Sequence, residues 1–555
     1  MVASATSFAP SVYNAPTRKV PPNMNRYLLI LALLVSPLLS AESLKNTLAA
    51  YDGMTLGEAA AVSNVTLTSG HMTFTLASGS AAPVIAGNET IGLFFSGKGT
   101  YEYLSNDPVE AAVVKANVKR VTDLSINDKS GALAIGDSFT QLLYLAPGGK
   151  LPLLPASSTI SVDAAFNDLK KEFARDSGSP LAHLYAIKKL DAPAANLTMA
   201  QIRGGRESAV YVYDDVLRHT ESLETLRETR AQSSYAKKFL YRASVSEQLI
   251  QRDWKTYVVQ NFFLADVDLD LTASDKRDAK YTMTQTVVPQ YNPRRIFKFS
   301  MLDDVSVGAS DVRNFHLRSV TGADGKPLEF DQRSDELIVA MPAHVPVDEG
   351  VKIRYEVDGD FLERPSGDSY WELGTWPWFP QPELGEQYYT FHAIVRVKKP
   401  FVPLSPGTTI RRVEEGDYNL VETKVEQPVQ FASILAGKYY FEEDTRDGIT
   451  VRVASYGLKN VQAFRKLGNL SHTMIDYYEV FLGPFPFKEF NIIEKNQYGY
   501  GQAPPATMFI TQEAFTQADD ELSKLFSRGI NHRFAHEIAH QYWGHVVKMP
   551  SGQEQ

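Results

Sequence analysis

The stretch HRFAHEIAHQYWGH runs from His532 to His545, and within it His536 and His540 stand four apart with Glu537 directly after the first. On a helix, side chains at i and i+4 share a face about 5–6 Å apart, so two imidazoles at this spacing reach one zinc ion. A carboxylate next to the first ligand points near the ion's open position, where it can take a proton from water. The flanking Phe534, Ala535, Ile538 and Ala539 are apolar, so the pattern predicts a buried helix whose polar residues need a reason to be there. A catalytic zinc takes three protein ligands, and this pair supplies two. His532 lies about 12 Å from His540 along the axis at ~1.5 Å per residue, too far to converge with both. His545 is five places beyond His540 and points elsewhere. A local extension would need glycine at 543 and histidine at 546, where the chain has Trp543 and Val546. The third ligand is therefore not on this helix.

The chain has 555 residues, 44% of them hydrophobic, a length that suits three or four domains at ~150 residues each. Its 56 Lys+Arg against 65 Asp+Glu give a net charge of −9, which argues against nucleic acid as a partner. There are no cysteines, which excludes disulfides, thiolate metal sites, a cysteine nucleophile and a lipoprotein anchor, and leaves His, Asp and Glu to hold any metal. The segment MNRYLLILALLVSPLLSAES begins at Met24, with Arg26 ahead of an apolar run from Tyr27 to Ser40. That run is shorter than the roughly 20 residues of a membrane span and has the length of a signal-peptide core, followed by small residues Ser40 and Ala41. The expectation is a targeting segment over 1–41, a signal peptide at about 24–41, export to the periplasm or outside the cell, and no stable transmembrane span after cleavage.

The rest divides by pattern into 42–252, 253–453 and 454–555. Up to about 155, stretches such as HMTFTLAS and GTYEYLS alternate as half-buried strands do, whereas DAAFNDLKKEFARD and ESLETLRETRAQSSYAKKFLYRA read as helices. This makes 42–252 a mixed N-terminal domain of unread role. Residues 253–453 read as an antiparallel β domain. In ADVDLDL, Ala265, Val267, Leu269 and Leu271 share one face and Asp266, Asp268 and Asp270 the other. A calcium loop would need glycine at its sixth place and glutamate at its twelfth; Leu271 and Arg277 stand there, so the acids line a solvated strand face. YWELGTWPWFPQPEL, Tyr370–Leu384, holds three of the five tryptophans and reads as a proline-punctuated packing segment between sheets. Beyond 454, Phe464, Leu467, Met474, Tyr478 and Phe481 recur at helical spacing until Gly483 and Pro484 stop the helix. The strand-like FNIIE, the loop NQYGYGQAPPATM and the histidine helix follow.

FAHEIAHQYWG, Phe534–Gly544, resembles the zinc helix of the aminopeptidase N-like gluzincin metallopeptidases. The order of parts agrees over about 253–555: a sheet domain with ILAGKYYFEED near its end, a helix closing in YEVFLGPFPF, a loop, then the histidines. The resemblance implies a multidomain α+β chain with an antiparallel β (saddle-like) domain and the start of a thermolysin-like, mainly helical catalytic domain. It implies Zn2+ on His536 and His540, Glu537 as the base, and a peptide or protein substrate. The family's third ligand, a glutamate, would fall at position 559, past Gln555, and Glu554 stands five places early. The chain is accordingly expected to be the N-terminal part of a longer protein, inactive by itself, with apolar surface left open on Phe534, Ile538 and Trp543. A second departure concerns the family's Gly-x-Met-Glu-Asn segment, whose glutamate holds the substrate amine. Gly501, Gln502, Ala503, Pro504 and Pro505 stand at its places, and Pro504 has no carboxylate. Glu494 and Glu513 are near but do not fit the motif, so this loop reads as a rigid wall of the cleft. The expected function is a zinc metallopeptidase without that amine anchor; the alternative is a non-catalytic member serving as a binding scaffold.

Overall fold

The computed structural model describes residues 43–105, 108, 112, 116, 125–129, 132–152, 163–176, 180–204, 207–217, 220–231, 234–245, 262–290, 292–306, 312–364, 369–374, 376–382, 388–430, 432–457, 459–496, 501–511, 513–516 and 530–547. The signal-peptide reading at Met24–Ala41 and the acid Glu554 lie outside the described residues, as do the side chains of His532 and Glu513. Among the described residues no helix is long and apolar enough to cross a membrane.

Sheets dominate. A ten-stranded sheet is built from strands between Thr55 and Val245, all its pairs antiparallel, with helices Leu44–Asp52, Asp163–Asp176 and Leu181–Leu190 packed with it. DAAFNDLKKEFARD is a helix as expected. The segment expected to be helical from Glu221 is instead a hairpin of strands Thr220–Ala231 and Ser234–Val245. Its composition favours a helix, but strand Glu207–Asp214 offers an edge, and pairing along it buries Glu221 and Leu223 in a period of two. Tertiary pairing overrides local propensity here.

Next come an eight-stranded sheet between Asp304 and Val429, which also includes Phe262–Ala273 and Ala279–Pro289, a four-stranded sheet and a three-stranded one. The eight-stranded sheet is not wholly antiparallel: Phe262–Ala273 pairs parallel with Tyr389–Lys398. Val267, Leu269 and Leu271 are buried and Asp268 and Asp270 exposed, as the alternation predicts. A bulge between Leu264 and Asp266 moves Ala265 off the core face and puts Leu264 there. In the tryptophan segment Trp371 and Trp378 are fully buried, and Tyr281 donates its hydroxyl to the Trp378 carbonyl at 2.7 Å. It is packing, not an open platform.

The sheet that carries the site begins at Tyr440, ahead of position 454. Its five strands are ordered Tyr440–Arg446, Ile449–Ser455, Glu489–Lys495, Thr507–Thr511 and Gly501–Gln502. Ile449–Ser455 and Glu489–Lys495 are parallel, so the chain must cross over between them, and helix Val461–Leu482 is that crossover. Asn460 caps it, accepting from the Ala463 amide at 3.0 Å, and Gly483 at φ +89° ends it. Phe464 and Leu467 are buried and Met474 and Tyr478 half-buried, but Phe481 is 67% exposed. Tyr478 and Leu482 keep the end of the helix on the core, while Tyr477, Val480 and Phe481 face solvent. The expected opening on Phe534 and Ile538 is absent, since both are fully buried; of that trio Trp543 alone is open, at 39%.

Candidate metal centre

Helix Ile530–Ala539 carries the histidine pair. Phe534 and Ile538 seat it in the core shared with the site sheet and the crossover helix. Tyr478 donates to the Ala535 carbonyl at 2.9 Å, and Arg533 to the Thr511 hydroxyl at 3.2 Å. The regular helix ends one residue before His540, but the His540 amide still donates to the His536 carbonyl at 3.1 Å, which preserves the i, i+4 relation.

The two rings meet edge to face, 84° apart, with their Nε2 atoms at 3.0 Å. His540 Nδ1 lies 3.2 Å from the Trp543 carbonyl. A carbonyl only accepts, so Nδ1 carries the proton and the His540 Nε2 lone pair is aimed at His536. Two ring nitrogens this close repel unless a proton or a cation lies between them. Two nitrogens on one tetrahedral zinc at ~2.0–2.1 Å would stand about 3.3 Å apart, so the pair fits as two of the ion's ligands. Among the described residues no set of three His, Cys, Asp or Glu side chains is gathered to hold a metal.

Glu537 is 5% exposed. Burial pushes its carboxyl up to about 7, and Arg533 pulls the other way. It lies against Gly501 on the edge strand: a Cβ at Gly501 would stand 2.3 Å from Glu537 Oε1. Glycine there is a matter of space. Gly501→Ala is therefore expected to push the carboxylate aside and lower turnover at least roughly tenfold, since a misplacement of about 1 Å can cost 10²-fold. Cobalt uptake, read from its visible bands, should stay intact. Unchanged turnover would mean that the carboxylate's position does not matter.

The loop after Gly501 is clamped by Gln541, which the sequence reading passed over, and by His545, which it considered only as a metal ligand. Gln541, fully buried, accepts from the Ala506 amide at 2.9 Å and donates toward the carbonyls of Thr507 at 3.2 Å and Pro504 at 3.3 Å. His545, 4% exposed, donates from Nε2 to the Ala503 carbonyl at 2.8 Å. Burial holds His545 down at about 4, so it stays neutral. It does point away from the pair, as expected, but toward a task of its own. The available signal was a pair of polar residues in an apolar frame, Gln541 one turn after Glu537 and His545 one turn further. Of the substrate-loop residues, Gly501 and Gln502 are half-buried at the edge, while Ala503 and Pro504 are buried and tied down through their carbonyls. Glu494 is 1% exposed and occupied, accepting from the Ser455 hydroxyl and from the amides of Tyr456 at 3.1 Å and Gly457 at 3.3 Å. Burial raises its carboxyl above the ordinary range.

No protein-family model and no curated protein matches this chain. Among solved structures it is similar to an M1 zinc metallopeptidase from Deinococcus radiodurans, at 14% identity and TM-score 0.41. Variants of such an enzyme bound to a Tyr-Ser-Ala substrate and to L-arginine match at 14% identity and TM-score 0.40. In each case the match covers 52% of this chain, which spans 66% of the other's length. A likeness of this size says nothing of chemistry, which has to come from the side chains.

Proposed function

We propose that this chain carries the histidine pair and the base of a zinc metallopeptidase, with a peptide or protein as substrate. The observation that supports this best is the 3.0 Å approach of the His536 and His540 Nε2 atoms beside the buried Glu537. Zinc, when bound, supplies a Lewis acid for the scissile carbonyl and its attacking water. His536 and His540 hold it. Glu537 takes the proton of the attacking water and passes it to the leaving amine. The rigid loop from Ala503 to Thr507 walls the cleft without a free carboxylate. The test is metal uptake: the protein should bind cobalt or zinc at one site, and His536→Ala and His540→Ala should each lose it. Uptake unchanged in both variants would overturn the reading.

The second reading, a binding scaffold, draws on the missing carboxylate at Pro504 and on the absence of a third donor among the described residues. An intact base between two ligands favours the peptidase. The loop also bears on specificity. With Glu494 occupied and Pro504 tied, kcat/KM for a peptide and for its acetylated twin should agree within about tenfold. A loss above roughly 3 kcal/mol on acetylation, at ~1.36 kcal/mol per tenfold, would mean that another acid holds the amine.

We also propose export, on the charged start and apolar run at Arg26–Ser40. Mass spectrometry of the protein from its native host should find a mature N-terminus near 41–43. A chain that retains Met24 would sink this.

A further inference from the structure

We propose that a cleft in the N-terminal ten-stranded sheet binds a small organic anion, a carboxylate or a phosphate, with Lys188 as its counter-ion. The proposal is independent of the peptidase reading. The cleft has a volume of about 580 Å3, within the ~300–1,000 Å3 of small-molecule sites. It lies where the hairpin end at Thr66–Gly70, the turn at Ala146–Lys150 and the loop at Pro193–Asn196 come together. Its lining contains two lysines, Lys150 and Lys188, and neither an aspartate nor a glutamate. The chain as a whole has 65 acidic residues against 56 basic ones, so an acid-free concave surface with two ammonium groups goes against its general charge.

Lys188 is 7% exposed. Its Nζ donates to the Pro193 carbonyl. An ammonium group has three donors and a full charge. One neutral carbonyl answers one donor and none of the charge, and burying a charge without a counter-charge is costly. Among the described residues no carboxylate pairs with it; burial and the neighbouring Lys189 hold it below the ordinary lysine range. Lys189, the next residue, shows what a structurally satisfied lysine looks like here, since it pairs with Glu89. The turn opposite passes close to it: Gly148 sits at φ +72°, which favours glycine, and a Cβ there would be in ordinary contact with the Lys188 Nζ at 3.8 Å. The hydroxyl-bearing Thr66 and Thr68 also line the cleft. An anion entering it would find a charge to neutralise and polar groups to orient it.

The rival is a plain structural tie, in which Lys188 merely fastens the end of its helix to the loop after it. Thermal unfolding of the full chain separates the two. Sodium succinate and sodium phosphate are each titrated against sodium chloride of equal ionic strength. At least one should raise the unfolding temperature saturably, and which one does so identifies the anionic group. Lys150→Gln, at an exposed position, should weaken the apparent affinity roughly threefold. Lys188→Met should weaken it at least tenfold, equivalent to ~1.4 kcal/mol, while Lys188→Arg should retain it. If Lys188→Met does not fold, the wild-type, Lys150→Gln and Lys188→Arg titrations decide. No saturable rise with either anion in the wild type, or a rise unchanged by Lys150→Gln and Lys188→Met, would overturn the proposal.

Discussion

Replacing Glu537 with glutamine should leave metal uptake unchanged and lower peptide turnover by roughly 10²–10⁴-fold, the usual contribution of a positioned general base. Glutamine keeps the size of the side chain and its contact with Gly501, so the histidine pair should not move. What disappears is a carboxylate beside the pair that can accept a proton near neutral pH. Burial already raises that carboxyl to about 7, and a cation on the two imidazoles would draw it back toward the charged form. Paired measurements of cobalt uptake and kcat decide the matter. Loss of the metal would show that Glu537 shapes the site, and full turnover with glutamine would place the base elsewhere.

The second large effect is on stability. Gln541→Leu should destabilise the region by about 3 kcal/mol, because it leaves the buried Ala506 amide without its acceptor and takes a donor from the Thr507 carbonyl, at ~1–3 kcal/mol for each stranded group, while the Pro504 carbonyl keeps the Thr507 amide at 2.9 Å. Ala506 adds to the load. Its φ of +56° is a left-handed conformation that alanine rarely adopts, and the Gln541 contact at 2.9 Å helps hold it there. Hydrogen exchange at the Ala506 amide is the direct readout. Protection in the variant equal to that in the parent would rule out the clamp.

The approach of His536 to His540 was legible in sequence because it is local. Four residues make one helical turn, so the distance between His536 and His540 followed from their spacing alone, and the apolar neighbours announced burial. The clamp was less legible. Gln541 and His545 reach carbonyls roughly 40 residues upstream, and no local period encodes such a partner. Strand alternation told truly wherever one face is buried, as at Val267, Leu269 and Leu271, and slipped at Ala265, where a bulge shifts the register by one. The largest departure, the hairpin at Thr220–Val245, arose because an available sheet edge outweighed a composition suited to a helix. Phe481 met the helical spacing, but its neighbour Leu482 takes the core-facing place and leaves Phe481 in solvent.

The parallel pairing of Phe262–Ala273 with Tyr389–Lys398 has a consequence for how the protein is made. A strand leaving the ribosome meets its hairpin partner within seconds, but this one waits for roughly a hundred further residues before its parallel neighbour exists. At about 5–20 residues per second that is an interval of several seconds at least. Meanwhile the row of amides and carbonyls on that side of Phe262–Ala273 is open to any other extended chain. Non-local pairings of this kind also slow the search once the whole chain is free. Production of this protein should therefore be sensitive to temperature and to chaperone supply, and the aggregates formed when it fails should be those of nascent chains stalled before Tyr389.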